Sequence, residues 1–270
     1  MREPIAKFFA DRGTHLAAMI AYFALLSFIP LVFLMLALLG FSGRADASDF
    51  FVRELNSEFP SSSVDTILKV VRAIQANAAT LGILGGVFLA WSSLSLFSAL
   101  ESALNIVYGR PNRGFLHGKA VALLLMIGSL VTLFAALVVA ALGVEIVRDV
   151  APGVIENYAL AYAVSVIASL VGIFAFLAVV YSRLTNPPVS LREALPGALV
   201  AAVLLEASFQ VLPLFVKYAS VNVTLRAFGG PVLLLIWLYV MANVIVLGAE
   251  LNWWLANRDR QDTEEVAGFA

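Results

Sequence analysis

The sequence predicts an all-α integral membrane protein with six transmembrane helices and amphipathic surface helices between spans 1 and 2. Its 270 residues are 61% hydrophobic and 13% charged, with a mean hydropathy of +0.95, whereas soluble domains are about half apolar and a quarter charged. The apolar residues form long runs, and a membrane-spanning helix needs about 20 of them. Six runs meet this length and define one membrane domain over residues 1–270: about 16–41, 81–108, 120–144, 158–181, 191–219 and 231–255.

Residues 1–15 precede the first span and carry charges throughout. They contain no apolar core and no small-residue cleavage site, so they do not read as a cleavable signal. Ile5, Phe8 and Phe9 recur at helical spacing, which indicates a short amphipathic helix on the membrane surface. An ordinary membrane-flanking segment is the alternative.

Three prolines are candidates for helix kinks, because proline lacks the N–H that an interior helical position donates. Pro30 is expected to bend span 1 near Leu26 and Ser27. Pro196 and Pro213 bracket the core of span 5. Proline is common in membrane helices, so a purely structural kink is the default interpretation of Pro30.

Residues 42–80 interrupt the hydrophobic pattern with acidic residues, glycine, proline and serine. Apolar residues nevertheless recur at helical spacing before and after Ser62–Asp65, a sequence that resembles a capping box. We therefore expect two amphipathic helices folded over the outer membrane surface.

Two carboxylates lie on polar faces of predicted spans, and ionisable residues within a membrane commonly face a cavity or a partner. Glu101 shares one side of span 2 with Ser98 and Asn105, and Glu250 shares one side of span 6 with Asn243. Both are expected near the inner interface, where a structural hydrogen bond suffices, so structural and functional roles are both open. Since the two faces fall at the same depth, spans 2 and 6 are expected to enclose a shared hydrated pocket.

Glu206 is the deepest carboxylate of the predicted spans. It follows Pro196 by ten residues, about 15 Å at the helical rise, which is near the bilayer midplane, and Gln210 shares its face. Ser190 and Glu193 form a capping box that opens this span. Protonation neutralises a carboxylate at such a depth and offers one way to couple proton movement to a substrate.

Span 4 carries small residues along one side, namely Ala161, Ser165, Ser169 and Gly172. Small side chains allow two helix backbones to approach closely. This side of span 4 is therefore predicted to pack against another helix.

Basic residues predict the topology. Ten of the 17 Lys and Arg residues lie in the N-terminal segment, in the loops after spans 2 and 4, and in the tail. The positive-inside rule therefore favours cytoplasmic amino and carboxy termini. Five of the ten are expected at the inner headgroup level, where cations attract anionic lipid: Arg110, Arg113, Lys119, Arg183 and Arg192.

Three stretches together resemble the YihY/BrkB family of bacterial inner-membrane proteins: AAMIAYFALLSFIPLVF, WSSLSLFSALESALNIVYG and GGPVLLLIWLYVMANVIVLGAELNWW. The resemblance implies a six-helix membrane fold with cytoplasmic termini. It brings no settled activity, because the family carries a mistaken ribonuclease BN label, a serum-resistance label in one branch and a suggested role in lipid or envelope-precursor transport. The matching positions, whose roles the family leaves open, are Tyr22, Ser27, Pro30, Asn105, Gly248 and Glu250.

The residues argue against an enzyme. A metal-dependent nuclease needs a cluster of His and carboxylates, but the only histidines are His15 and His117, and no P-loop, GxSxG, HExxH or CxxC sequence occurs. A net charge of −1 provides no basic face for nucleic acid. The chain has no cysteine, so it has no thiolate site. We expect neither a metal nor a cofactor.

Three functions remain open. The favoured one is transport of an amphiphilic, lipid-like, anionic substrate without ATP, with membrane lipids as partners. Proton- or cation-coupled transport suits the same carboxylates, and nothing in the sequence excludes a non-transporting scaffold of the cell envelope. The candidate substrate or proton site comprises Glu206, Gln210, Glu250, Asn243, Glu101 and Asn105.

Overall fold

The computed structural model describes residues 4–41, 78–129, 131–132, 158–221 and 223–268. Within these ranges the regular structure is entirely helical, as the composition predicts. In chain order the helices are α1 (Pro4–Ala10), α2 (Gly13–Phe41), α3 (Ala78–Val107), α4 (Phe115–Ser129), α5 (Tyr158–Leu184), α6 (Leu191–Val221) and α7 (Val223–Gly268).

Three helical segments are long and apolar enough to cross a membrane: Tyr162–Leu184, Leu191–Tyr218 and Gly230–Arg258. They correspond to predicted spans 4, 5 and 6. Only 17%, 22% and 28% of their apolar windows are buried inside the protein. Soluble proteins rarely expose apolar surface on this scale, so the chain is embedded in a membrane.

The prediction of six spans is confirmed only in part. Gly13–Phe28 and Phe115–Ser129 are shorter apolar helices, in the regions of predicted spans 1 and 3. The second half of predicted span 3 lies outside the described residues. So do residues 42–77, which carry the predicted surface helices and the capping box at Ser62–Asp65.

The last helix extends beyond the predicted sixth span at both ends, whereas its apolar segment Gly230–Arg258 agrees with that span. The sequence predicts a start at Pro231 and an end near residue 255, but α7 begins at Val223, contains Pro231 and continues to Gly268. Proline is tolerated inside membrane helices when neighbouring groups satisfy the freed backbone. The polar residues after 255 include arginine, glutamine and glutamate, which favour helix.

The start of α6 agrees with the predicted capping box. The Glu193 N–H donates to Ser190 Oγ at 3.3 Å, and the Ala194 N–H donates to the Ser190 carbonyl at 3.1 Å. Ser190 therefore caps the helix by accepting a hydrogen bond from its first turn.

A tight corner joins α1 to α2 and confirms that the N-terminal segment is helical. Arg12 has a positive φ of 57°, and its carbonyl accepts the His15 N–H at 2.8 Å. A Cβ on Gly13 would lie 2.3 Å from the Phe8 ring, so glycine is required for Phe8 to pack into the corner. Ile5 points outward.

The three predicted kink prolines lie within helices. Pro30 is inside α2, where the Ser27 hydroxyl donates to the Phe23 carbonyl at 2.9 Å. Such a bond back to the preceding turn often bends a helix. Pro196 and Pro213 lie inside α6. The kinks themselves stay predictions.

The chain forms two compact units. Unit 1 comprises Met1–Ala17, Phe97–Phe209 and Met241–Ala270, and unit 2 comprises Ala18–Leu96 and Gln210–Val240. In unit 2, Phe215 packs on Trp237 with ring centroids 5.5 Å apart. The buried charged residues of the described ranges all belong to unit 1: Lys7, Glu101, Glu206 and Glu250.

Candidate functional site

Lys7 and Glu250 form a buried ion pair in unit 1. Lys7 Nζ donates to Glu250 Oε2 at 2.9 Å, to the Val107 carbonyl at 2.7 Å and to Asp11 Oδ2. The Lys7 and Glu250 side chains are 11% and 0% exposed, and the Trp253 ring lies 4.4 Å from the ammonium. Buried charges persist when they are paired and hydrogen-bonded, which explains how α7 accommodates this carboxylate.

Two buried polar atoms in this region have no hydrogen-bond partner within the described residues. They are Glu250 Oε1 and the Tyr108 hydroxyl. The Tyr108 hydroxyl lies near the Glu250 carboxylate and the Asn252 amide. Its geometry to the amide is not that of a hydrogen bond. Such atoms are rare in folded proteins and each requires an explanation.

Arg113 joins the loop after α3 to the end of α5. Its guanidinium donates to Glu101 Oε1 at 3.1 Å and to the carbonyls of Arg183, Leu184 and Thr185 at 3.1, 2.5 and 2.6 Å. The last carbonyls of a helix have no partner within the helix, and its dipole favours a cation there. Arg113 therefore caps α5 and neutralises Glu101 at the same time.

Asn105 connects two loops at this end of unit 1. Its Nδ2 donates to Asn112 Oδ1 at 3.0 Å, and its Oδ1 accepts the Asn186 N–H at 2.8 Å. Arg110 donates to the Pro187 carbonyl. In this structure Asn105 and Arg110 hold the loop after α3 against the loop after α5.

Helices α6 and α7 cross in backbone contact. A Cβ on Gly197 would lie 2.0 Å from the Gly248 carbonyl oxygen, and one on Gly248 would lie 2.6 Å from the Tyr181 hydroxyl. Asn252 accepts the Gly197 N–H at 2.6 Å and donates to the Ala194 carbonyl at 3.1 Å. This crossing therefore has glycine on both helices at the point of contact.

The small-residue side of α5 is largely exposed within the described part of the chain. Ser165 and Ser169 are exposed, and a Cβ built on Gly172 meets no atom within 4 Å in the described part of the chain. Ser169 nevertheless contacts α6 through its hydrogen bond to Glu206, so close packing along the whole side stays a prediction. Small residues permit a close approach, but they do not create one.

Glu206 links α6 to α5 far from either end of its span. It lies 15 residues after Leu191 and 12 before Tyr218, about 22 and 18 Å at the helical rise. Its residue is 7% exposed, and its Oε2 accepts the Ser169 hydroxyl at 2.7 Å. Gln210, one turn later, is exposed. A buried carboxylate therefore lies at mid-depth of a spanning helix.

The five predicted headgroup contacts fall into two groups. Arg183 and Arg192 are exposed. The other three point to protein acceptors, with Lys119 Nζ donating to Ser98 Oγ at 2.9 Å. Contact with lipid headgroups stays a prediction for all five.

The candidate substrate-site residues do not converge on one site. Glu101 and Glu250 are held by different cations, and their side chains are 7% and 0% exposed; the shared hydrated pocket stays a prediction. Asn243 is half-buried on α7. Glu206, on α6, contacts α5 instead.

Sequence reasoning missed Lys7, Asn252 and Tyr181. The Tyr181 hydroxyl donates to the Ile245 carbonyl at 2.7 Å, so it ties α5 to α7. Asn252 follows Glu250 by two residues in the apolar stretch. A polar side chain in such a stretch indicates a buried hydrogen bond, but averaging hydropathy over a window conceals it. Lys7 gives no comparable local signal.

Within the described ranges, no group of three or more His, Cys, Asp or Glu residues is placed to hold a metal ion. Spanning helices with outward apolar faces, buried ion pairs and a mid-depth carboxylate define a multi-span α-helical membrane protein. Residues 5–268 match the family described as Virulence factor BrkB. The chain belongs to this family, which confirms the resemblance found in the sequence.

Curated bacterial relatives support the same assignment. The chain is 26% identical to the putative ribonuclease-like protein YfkH of Bacillus subtilis, with 98% of each chain covered. It is 27% identical to the UPF0761 membrane protein PSHAa0171 of Pseudoalteromonas translucida, covering 95% of this chain and 85% of that one. It is also 26% identical to a UPF0761 membrane protein of Legionella pneumophila, of which it spans 65%. No solved structure matches the chain.

Proposed function

We propose that this protein moves or accommodates an amphiphilic, anionic, lipid-like molecule along a path between helices of a bacterial inner membrane, without ATP. The observation that carries the proposal is Glu206, buried at mid-depth of α6 and hydrogen-bonded to Ser169 of α5. A membrane anchor gains nothing from a carboxylate at this depth. A headgroup crossing the hydrocarbon needs polar partners on its way.

Exposed cations at one end of α5 and α6 support an anionic headgroup. Arg183 lies in the last turn of α5, and Arg192 lies in the first turn of α6. The six residues 185–190 join the two helices, so both guanidinium groups belong to the same end of this helical hairpin. Each cation at the headgroup level attracts anionic lipid by about 1 kcal/mol.

The charge of Glu206 determines how an anion could pass. An ionised carboxylate repels a phosphate, but a protonated one is neutral and donates a hydrogen bond, as does the Ser169 hydroxyl. Passage of an anionic headgroup therefore goes together with protonation of Glu206. The chain then acts as a transporter and not as an enzyme. Its basic loops favour a topology with both termini in the cytoplasm.

The test is lipid movement in reconstituted vesicles that contain a fluorescent anionic lipid. Native protein should increase the rate at which this lipid becomes accessible to an impermeant quencher. Glu206→Leu, which offers no hydrogen bond, should lower that rate about tenfold or more, whereas Glu206→Gln, a neutral donor like the protonated carboxyl group, should keep it. The matched control is Ser208→Ala, because the Ser208 hydroxyl donates to the Leu204 carbonyl of its own helix at 2.8 Å. This control should keep the native rate.

Proton-coupled cation flux is measured on the same vesicles. If the vesicles show cation flux but no lipid movement, and Glu206→Gln abolishes the flux, the substrate is a cation and not a lipid. If neither signal exceeds that of empty vesicles, transport is overturned and a non-transporting envelope scaffold takes its place.

A further inference from the structure

The buried cluster around Lys7 contains more negative than positive charge. One ammonium contacts two carboxylates, those of Asp11 and Glu250. Its three N–H bonds are all used, by the two carboxylates and the Val107 carbonyl. With every group ionised, the cluster carries one net negative charge. The Asp11 side chain is 25% exposed and the Glu250 side chain is 0% exposed, so the cost of an uncompensated buried charge falls on Glu250.

The same carboxylate has a vacant acceptor atom. Lys7 contacts Oε2 of Glu250, while Oε1 is fully buried and meets no donor in the described part of the chain. An ionised carboxylate accepts on both oxygens. The excess charge of the cluster and the unpartnered oxygen therefore coincide on Glu250.

We propose that the Lys7–Asp11–Glu250 cluster is a buried proton-binding site whose proton resides on Oε1 of Glu250. A hydronium ion transfers its proton to Oε1: one O–H bond forms on Glu250, one breaks in hydronium, water is left, and the carboxylate charge is neutralised. The cluster then becomes neutral, with Lys7 still paired to Asp11. The unpartnered oxygen becomes part of a carboxylic acid, which needs no second cation.

Among the residues that the structure describes, the groups around the site do not supply the missing positive charge. Helix α1 contributes Lys7 and Asp11, and α7 contributes Glu250 and the Trp253 ring. The segment after α3 contributes Tyr108, which interacts electrostatically with Arg110 and with Glu193 of α6. Arg110 donates to the Pro187 carbonyl.

The proposal does not depend on lipid movement. Glu250 precedes Arg258, the end of its span, by eight residues, about 12 Å, whereas Glu206 lies at mid-depth of another helix. The cluster is therefore separate from Glu206, near the end of a span and in contact with α1.

Infrared difference spectra of the full chain in lipid nanodiscs test the site across about pH 4 to 9, a range that brackets ordinary and buried carboxyl groups. Several carboxyl groups of the chain take up protons as the pH falls, and one component of the carboxylic acid absorption, the Glu250 band, should be missing in Glu250→Gln but persist in Glu206→Gln. Asp11→Asn removes the second carboxylate that contacts Lys7, so Glu250 stays ionised to a lower pH. The band should therefore appear about one pH unit lower or more. Lys7→Gln removes the cation, so the band should appear at least about one unit higher.

Arg192→Gln is the matched control, because it removes an exposed charge on α6, and it should not move the band. If Lys7→Gln does not fold, Asp11→Asn keeps the test intact, since the Asp11 side chain is 25% exposed. An unchanged band in Glu250→Gln, or an unchanged midpoint in Asp11→Asn, overturns the proposal and leaves a purely structural ion pair.

Discussion

Replacing Gly197 by alanine tests the backbone contact between α6 and α7. The added methyl would lie 2.0 Å from the Gly248 carbonyl oxygen and 2.6 Å from the Asn252 side chain. The oxygen belongs to a helix and cannot rotate away, so the two helices must separate. We expect this separation to lower the free energy of unfolding by about 3 kcal/mol, the upper end of the usual cost of overpacking. The lost hydrogen bond to Asn252 and the gain in helix propensity are each worth about 1 kcal/mol and offset each other.

Thermal or denaturant unfolding of the purified protein measures this loss directly. Gly172→Ala in α5 is the matched control, because its Cβ has open space. It should be as stable as the native chain or about 1 kcal/mol more stable, from helix propensity alone. Equal stability of the two variants would refute the close crossing.

Further predictions concern a cap, a helix start and the topology. Arg113→Lys should lower the free energy of unfolding by about 1 to 3 kcal/mol, because an ammonium cannot reproduce the planar fork that reaches Glu101 and three carbonyls; a native melting curve would contradict this. Ser190→Ala should cost about 1 kcal/mol in the same assay, and no loss would show that the cap is dispensable. Single cysteines at Asp65 and Gly114 of this cysteine-free chain should be labelled from outside and from the cytoplasm, respectively; labelling of position 65 only from the cytoplasm would reverse the topology.

Local patterns predicted the helices better than the contacts between them. The start of α6 was predictable because a cap depends on residues three apart, such as Ser190 and Glu193. The extent of α7 was not, because hydropathy marks the part of a helix that spans the membrane and not its polar continuation. The capping role of Arg113 was also hidden, since a charge count identifies a membrane face and no particular acceptor.

The buried carboxylates show that local patterns also do not predict contacts between residues far apart in the chain. Burial of Glu101, Glu206 and Glu250 was foreseeable from the cost of a charge in hydrocarbon. Their partners were not, because 243 residues separate Lys7 from Glu250 and periodicity extends only over a few turns. The crossing at Gly197 was likewise hidden, although Ala194, Ala198 and Ala201 beside it offered a small-residue signal.

The distance along the chain between Lys7 and Glu250 orders the assembly of the protein. At ordinary synthesis rates, 243 residues take about 12 to 50 s to emerge. During that time Lys7 has Asp11, four residues away, as an immediate partner. Helix α1 is made first, and its contact with Glu250 can form only after this part of α7 has been synthesised.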